Sequence, residues 1–305
     1  MSRDTSWSLD LPDRFPDSRR RFELALDGIV REHRVTIAVV FPAIGALSLV
    51  ASAEGWLPTP LQFNPWILLI GVLVMRSPLV VGVLPLLDRR AGAWIGILVG
   101  YTYAIESVGI RTGWPYGTFE YGIDLGPMVG GIPIALPVFF IPLVMNGYLL
   151  RELVFGSRVA GTIARFSVVT AIVVGMDVVL DPGAVALGFW AYDAGSAFYD
   201  VPISNYLGWV LSAAVAVATL DRAFDRERLI ERLRSCPFML DDVVSFVLLW
   251  GGINLWFGNM VPAVVAVGFG IGLVRSDRFD ARAFDPRRAT DREPGMDREP
   301  GMDRS

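Results

Sequence analysis

A chain of 305 residues could hold two soluble domains, but 53% of it is hydrophobic and its mean hydropathy is +0.49. Apolar runs that approach or exceed a bilayer crossing make it a multi-span membrane protein. Its net charge of −4 excludes a basic field for nucleic acid, and a single cysteine, Cys236, excludes an internal disulfide and a cysteine-based metal cluster.

Residues 1–34 are polar and mixed in charge, with Pro12 and Pro16, and read as a partly disordered cytoplasmic tail. This tail precedes the first apolar run, so no cleavable signal pattern is expected. The single histidine, His33, also precedes the first run and reads as a surface residue, which leaves no histidine for catalysis. Spans are expected at about 35–53, 66–87, 91–110, 132–150, 162–180, 203–220, 241–256 and 260–274. The fold class is therefore all-α, a polytopic membrane helical bundle of about eight transmembrane helices. The last two runs are short and closely joined, so seven spans plus a re-entrant piece is the alternative. Residues 35–275 form the membrane-embedded domain. Residues 276–305 end in DREPGMDREPGMDRS, a repeat without apolar content that reads as a disordered cytoplasmic tail.

All 27 basic residues are arginine, and their placement tests the span list. The N-terminal tail has seven, residues 54–65 none, 88–90 two, and the stretch after Glu106 one, Arg111. Residues 151–158 have two, 181–202 none, 221–240 five, 257–259 none and the C-terminal tail eight. The alternation predicts a multi-pass protein of the cell membrane with both termini cytoplasmic. Two arginines fall inside spans. Arg165 lies near an inner end and can snorkel. Arg76 lies mid-span, where it needs a carboxylate or carbonyl partner unless the span is shorter, and Ser77-Pro78 is a candidate helix break. Gly92, Gly96 and Gly100 are spaced for close helix packing, and Glu106, near that stripe, is expected to face protein.

Two stretches are too rich in rings for solvated loops. The first is Glu106–Gly131, ESVGIRTGWPYGTFEYGIDLGPMVGG; the second is Asp177–Trp209, DVVLDPGAVALGFWAYDAGSAFYDVPISNYLGW. Both fall at the outer face, and together they read as one site. Glu106 and Asp177 sit roughly 5 Å below the outer ends of their spans at 1.5 Å per residue. Asp181 lies one turn further out, with Pro182 predicted to end the helix there. A carboxyl withdrawn from water can stay protonated at neutral pH and act as a general acid. The candidate catalytic residues are Glu106, Asp177 and Asp181. The candidate substrate-binding residues are Trp114, Tyr116, Phe119, Tyr121, Trp190, Tyr192, Asp193, Tyr199, Asn205 and Trp209. The plain alternatives are acids that cap helices or pair with Arg76 and Arg111, and rings that anchor at the interface.

A buried acid, a ring-lined pocket and access to water suit addition of water to an electron-rich alkene, with no metal and no cofactor. The acid protonates the double bond, ring faces stabilise the cation, and water attacks. Glu106 or Asp177 could give the proton, and Asp181 or Asp193 could orient the water. The two stretches resemble those of the carotenoid-hydratase family, the CruF-like proteins, and most of all its haloarchaeal members. The resemblance spans about residues 35–275. It implies cofactor-free hydration of the terminal isoprenoid double bonds of an acyclic carotenoid, taking bisanhydrobacterioruberin through a monoanhydro intermediate to bacterioruberin. The implied partners are the carotenoid in the bilayer and other carotenoid-biosynthesis enzymes. One rival is an intramembrane prenyltransferase, since Asp177-x-x-x-Asp181 resembles half of a metal–diphosphate motif, but diphosphate needs a second acidic motif and several basic groups. The other is a carotenoid-binding or transport protein, which has no use for a protonated acid.

Overall fold

A computed structural model describes residues 14–155, 161–193, 198–276, 279–280 and 284. The expected disorder of residues 276–305 falls almost wholly outside them, as does Arg158. Every long apolar run is a helix. A π-helical turn over Thr36–Val40 leads into α2 (Phe41–Ala53), after the amphipathic α1 (Arg14–Glu32), which occupies part of the polar tail. Then come α3 (Pro65–Val83), α4 (Arg89–Thr112), α5 (Leu136–Val154), α6 (Thr162–Ala186) and α7 (Ile203–Ala223). The short polar α8 (Arg226–Ser235) precedes α9 (Asp241–Trp256) and α10 (Met260–Val274). The chain is an all-α polytopic membrane protein, and among the described residues six helices have the length and composition of a crossing. Helices α9 and α10 are shorter, at 16 and 15 residues. Helix α9 links the two ends of the bundle: Asp241 meets Arg34 at one end, and Trp256 meets Glu54 at the other.

The arginines gather at one end of the bundle. Arg19 donates to the carbonyls of Leu84 and Leu87, Arg90 to that of Arg222, Arg226 pairs with Glu152, and Arg232 with Asp27. At the other end the arginine-poor loops pack on each other through rings: Trp56 on Trp256 at 5.6 Å and Phe63 on Phe189 at 5.8 Å.

Arg76 is buried and lies 2.8 Å from both carboxylate oxygens of Asp242, which also accepts from Asn146. The mid-span charge is thus paired inside protein, as lipid burial demands. Ser77-Pro78 does not break α3. Proline cannot bond the carbonyl four residues back, and the Ser77 hydroxyl takes that partner's place by donating to Val74 O at 2.7 Å. Nor does Pro182 end α6, which continues to Ala186. Asn254 donates to Val179 O at 2.7 Å and Asn259 to Pro182 O at 3.2 Å, so α9 and the turn after it hold the backbone beside the proline. The glycine stripe of α4 departs from the packing expected of it: nothing lies within 4 Å of a Cβ built at Gly92, Gly96 or Gly100. The packed face of α4 is instead Ala91, Leu98, Thr102, Ile105, Glu106 and Gly109.

Candidate active site

At the arginine-poor end, two three-residue strands cross the mouth of the bundle. Helix α4 stops at Gly113, whose φ of 71° turns the chain away, and β1 (Phe119–Tyr121) follows. After α6, Gly188 at φ 78° starts the return into the second strand of the pair, Trp190–Tyr192. The strands pair antiparallel, Phe119 opposite Tyr192 and Tyr121 opposite Trp190. Gly122 is required where this ribbon meets the end of α6, because a Cβ there would sit 2.3 Å from Gly188 O. Alternation along each strand turns its first and third rings inward and its middle residue, Glu120 or Ala191, outward.

Beneath the ribbon is a cavity of about 140 Å³. Glu106 of α4 and Asp181 of α6 stand on its wall with Asn205 of α7. Tyr116, Phe119, Tyr121, Trp190, Tyr192 and Trp209 line it as well. Asn205 donates through one nitrogen to both Asp177, at 2.8 Å, and Asp181. Tyr192 donates to Asp181 at 2.8 Å, and Tyr121 donates to Glu106. Glu106, Asp177 and Asp181 are 9%, 0% and 3% exposed. Burial, together with the carboxyls they face, pushes the Tyr121 and Tyr192 phenols well above their ordinary range, so both remain protonated donors. Tyr116 is pushed up in the same way and shares a 2.6 Å hydrogen bond with Ser212.

Not every predicted residue reaches the wall. Asp177 lies one helical turn behind Asp181 and touches the site through Asn205; its Oδ1 is buried without a hydrogen bond. Trp114 is 58% exposed and turned away. Asp193 is exposed, and its backbone N–H extends the ribbon by donating to Thr118 O at 3.1 Å. Tyr199 instead accepts from the Val261 N–H at the start of α10, at 3.2 Å. Conversely, the first half of α5 supplies wall that the motif reading left out: Phe139, Phe140 and Leu143, with Phe140 stacked on Trp209 at 5.0 Å. Trp250 of α9 joins them. Nothing in these apolar residues distinguishes wall from core before the helices are packed. Among the described residues, no group of three or more His, Cys, Asp or Glu has the arrangement of a metal site.

Fold and site together define a polytopic membrane protein with an acid-bearing, ring-walled cavity, and the chain belongs to the carotenoid biosynthesis protein family, whose sequence model matches residues 63–273. That region carries every element of the cavity. The bisanhydrobacterioruberin hydratase of Haloarcula japonica is 57% identical to this chain over 271 residues, which is 88% of this chain and 91% of the relative. No solved structure matches it.

Proposed function

We propose that the protein hydrates the terminal isoprenoid double bonds of an acyclic carotenoid, converting bisanhydrobacterioruberin through its monoanhydro intermediate to bacterioruberin. The observation that carries this reading is two buried carboxyls from different helices on the wall of one aromatic cavity, in a chain so similar to a named hydratase. Glu106 gives its proton to the terminal double bond and leaves a tertiary cation. The faces of Trp190 and its neighbours attract that cation. Water adds to the cationic carbon and loses its proton to Asp181, yielding a tertiary alcohol. The division of roles rests on hydrogen bonds: Asp181 is held by two donors, Asn205 and Tyr192, and Glu106 by one, Tyr121. Asp177 supports Asp181 through their common donor, Asn205.

An engineered cavity of about 150 Å³ takes a benzene ring, so this one admits about one five-carbon chain end. The rest of a stiff polyene stays in lipid, and each binding event presents one end. The product must leave and rebind before its other end reacts. In the proposed orientation the arginine-rich end and both termini are cytoplasmic, in the cell membrane, and the cavity lies under the outer surface. A prenyltransferase would need cations for its diphosphate, and among the described residues no arginine stands on this wall. The deciding experiment gives purified protein in vesicles the anhydro-carotenoid. A mass gain of one water per end supports the hydratase, and binding without change makes it a carrier.

A further inference from the structure

The ribbon sends one phenol from each strand to a different carboxyl on a different helix: Tyr121 to Glu106 of α4 and Tyr192 to Asp181 of α6. In the register the two tyrosines stand diagonally, each opposite a ring of the other strand. Phe119 packs between them, its centroid 5.6 Å from Tyr121 and 5.9 Å from Tyr192. The ladder is prolonged past both ends, by Gly122 N–H to Phe189 O at 2.9 Å and by Asp193 N–H to Thr118 O. Neither strand can slide without moving both phenols. A carboxyl rotates about its last bond in a broad, two-fold well, so a fixed donor on one oxygen decides where the other points. Each phenol donates to one oxygen of a carboxyl, which suits it to orienting that group.

We propose that Tyr121 and Tyr192 are positioning residues for the hydration reaction described above, on whose reading this rests. The ribbon holds Glu106 and Asp181 in one fixed relation, so that donor and acceptor of the proton stand ready on either side of a chain end. The strands act as a single jig, and the tyrosine hydroxyls act on the reaction through the acids they hold.

The test uses Tyr121→Phe and Tyr192→Phe in the full chain in lipid vesicles, where each ring stays and each O–H goes. Turnover should fall roughly ten- to a hundred-fold in kcat with KM unchanged, as for a misplaced catalytic group. Infrared carboxyl bands give a readout independent of activity: Glu106→Gln and Asp181→Asn identify which band belongs to which acid. Tyr121→Phe should then shift the Glu106 band alone, and Tyr192→Phe the Asp181 band alone. Bands that stay in place overturn the proposal. A raised KM with kcat kept overturns it as well, by making the tyrosines substrate wall. If the bands shift as assigned but the unsubstituted protein hydrates nothing, the reaction fails and the positioning of the acids stands.

Discussion

At the scale of single residues, the cavity divides three acids into two that face it and one that does not. Glu106→Gln and Asp181→Asn should each lower hydration by about 10²- to 10⁴-fold, since an amide keeps the shape but cannot exchange the proton. Asp177→Asn should cost less, because that side chain acts through Asn205. Equal losses in all three, measured as turnover of carotenoid already bound, would sink this division. The sequence singled out Glu106, Asp177 and Asp181 because acids inside spans are rare. It could not rank them, because the ranking depends on which side of α6 meets the cavity. The same limit applies to Arg76. Its need for a partner was legible, but Asp242 lies far along the chain and reads locally as the start of another helix.

At the scale of elements, close approaches fix the wall. A Cβ at Gly208 of α7 would lie 2.4 Å from the Tyr116 ring and 3.2 Å from Pro115. Gly208→Ala should therefore displace Tyr116 and destabilise the protein by about 1–3 kcal/mol, as overpacking does, with turnover falling alongside. A thermal midpoint equal to that of the unsubstituted protein would show that the wall yields freely. Helix α1 offers a pH test outside the membrane. Burial would raise the Asp27 carboxyl, but hydrogen bonds from Arg31 and Arg232 outweigh it and hold it below its ordinary 3.8. A lowered folded value stabilises the docked helix above the ordinary value, and that stabilisation is lost as pH falls through the lowered one. Hydrogen exchange in α1 should accelerate over that acid window, and Asp27→Asn should remove the pH dependence. The helices themselves were readable from apolar runs. The ribbon was not, although Phe-Glu-Tyr and Trp-Ala-Tyr carry the period-two alternation of strands. Three residues are too few to identify a strand without its partner. Pro182 misled because a proline biases the residue before it away from helix without forbidding it, and the packing of α6, with Asn254 and Asn259 holding the backbone beside the proline, lies far along the chain.

At the scale of the whole molecule, the segregation of arginine that runs along the sequence is a segregation in space, with ion pairs knitting one end and rings the other. Reporter fusions after Tyr121 and after Asp193 should both report the outer side. Inside signals at both would reverse the orientation and put the cavity under the cytoplasmic surface, and opposite signals at the two would break the ribbon.

The shortness of α9 and α10 has a consequence for the lipid around them. At 1.5 Å per residue they stand about 24 and 22 Å tall, against a hydrocarbon core of roughly 30 Å. Helices α4 and α6, with 24 and 25 residues, exceed that core. The protein therefore wears an uneven collar. Helix α9 is largely buried, so it is α10 that turns apolar residues such as Val264 and Val267 outward, and lipid on that flank faces a lower wall than on α4, at a modest cost per ångström of mismatch. A bilayer thinned to match α10 would bring headgroups and their water down beside α6, the neighbouring helix that carries Asp177 and Asp181. On that flank the membrane itself would shorten the distance water must travel to reach a buried acid.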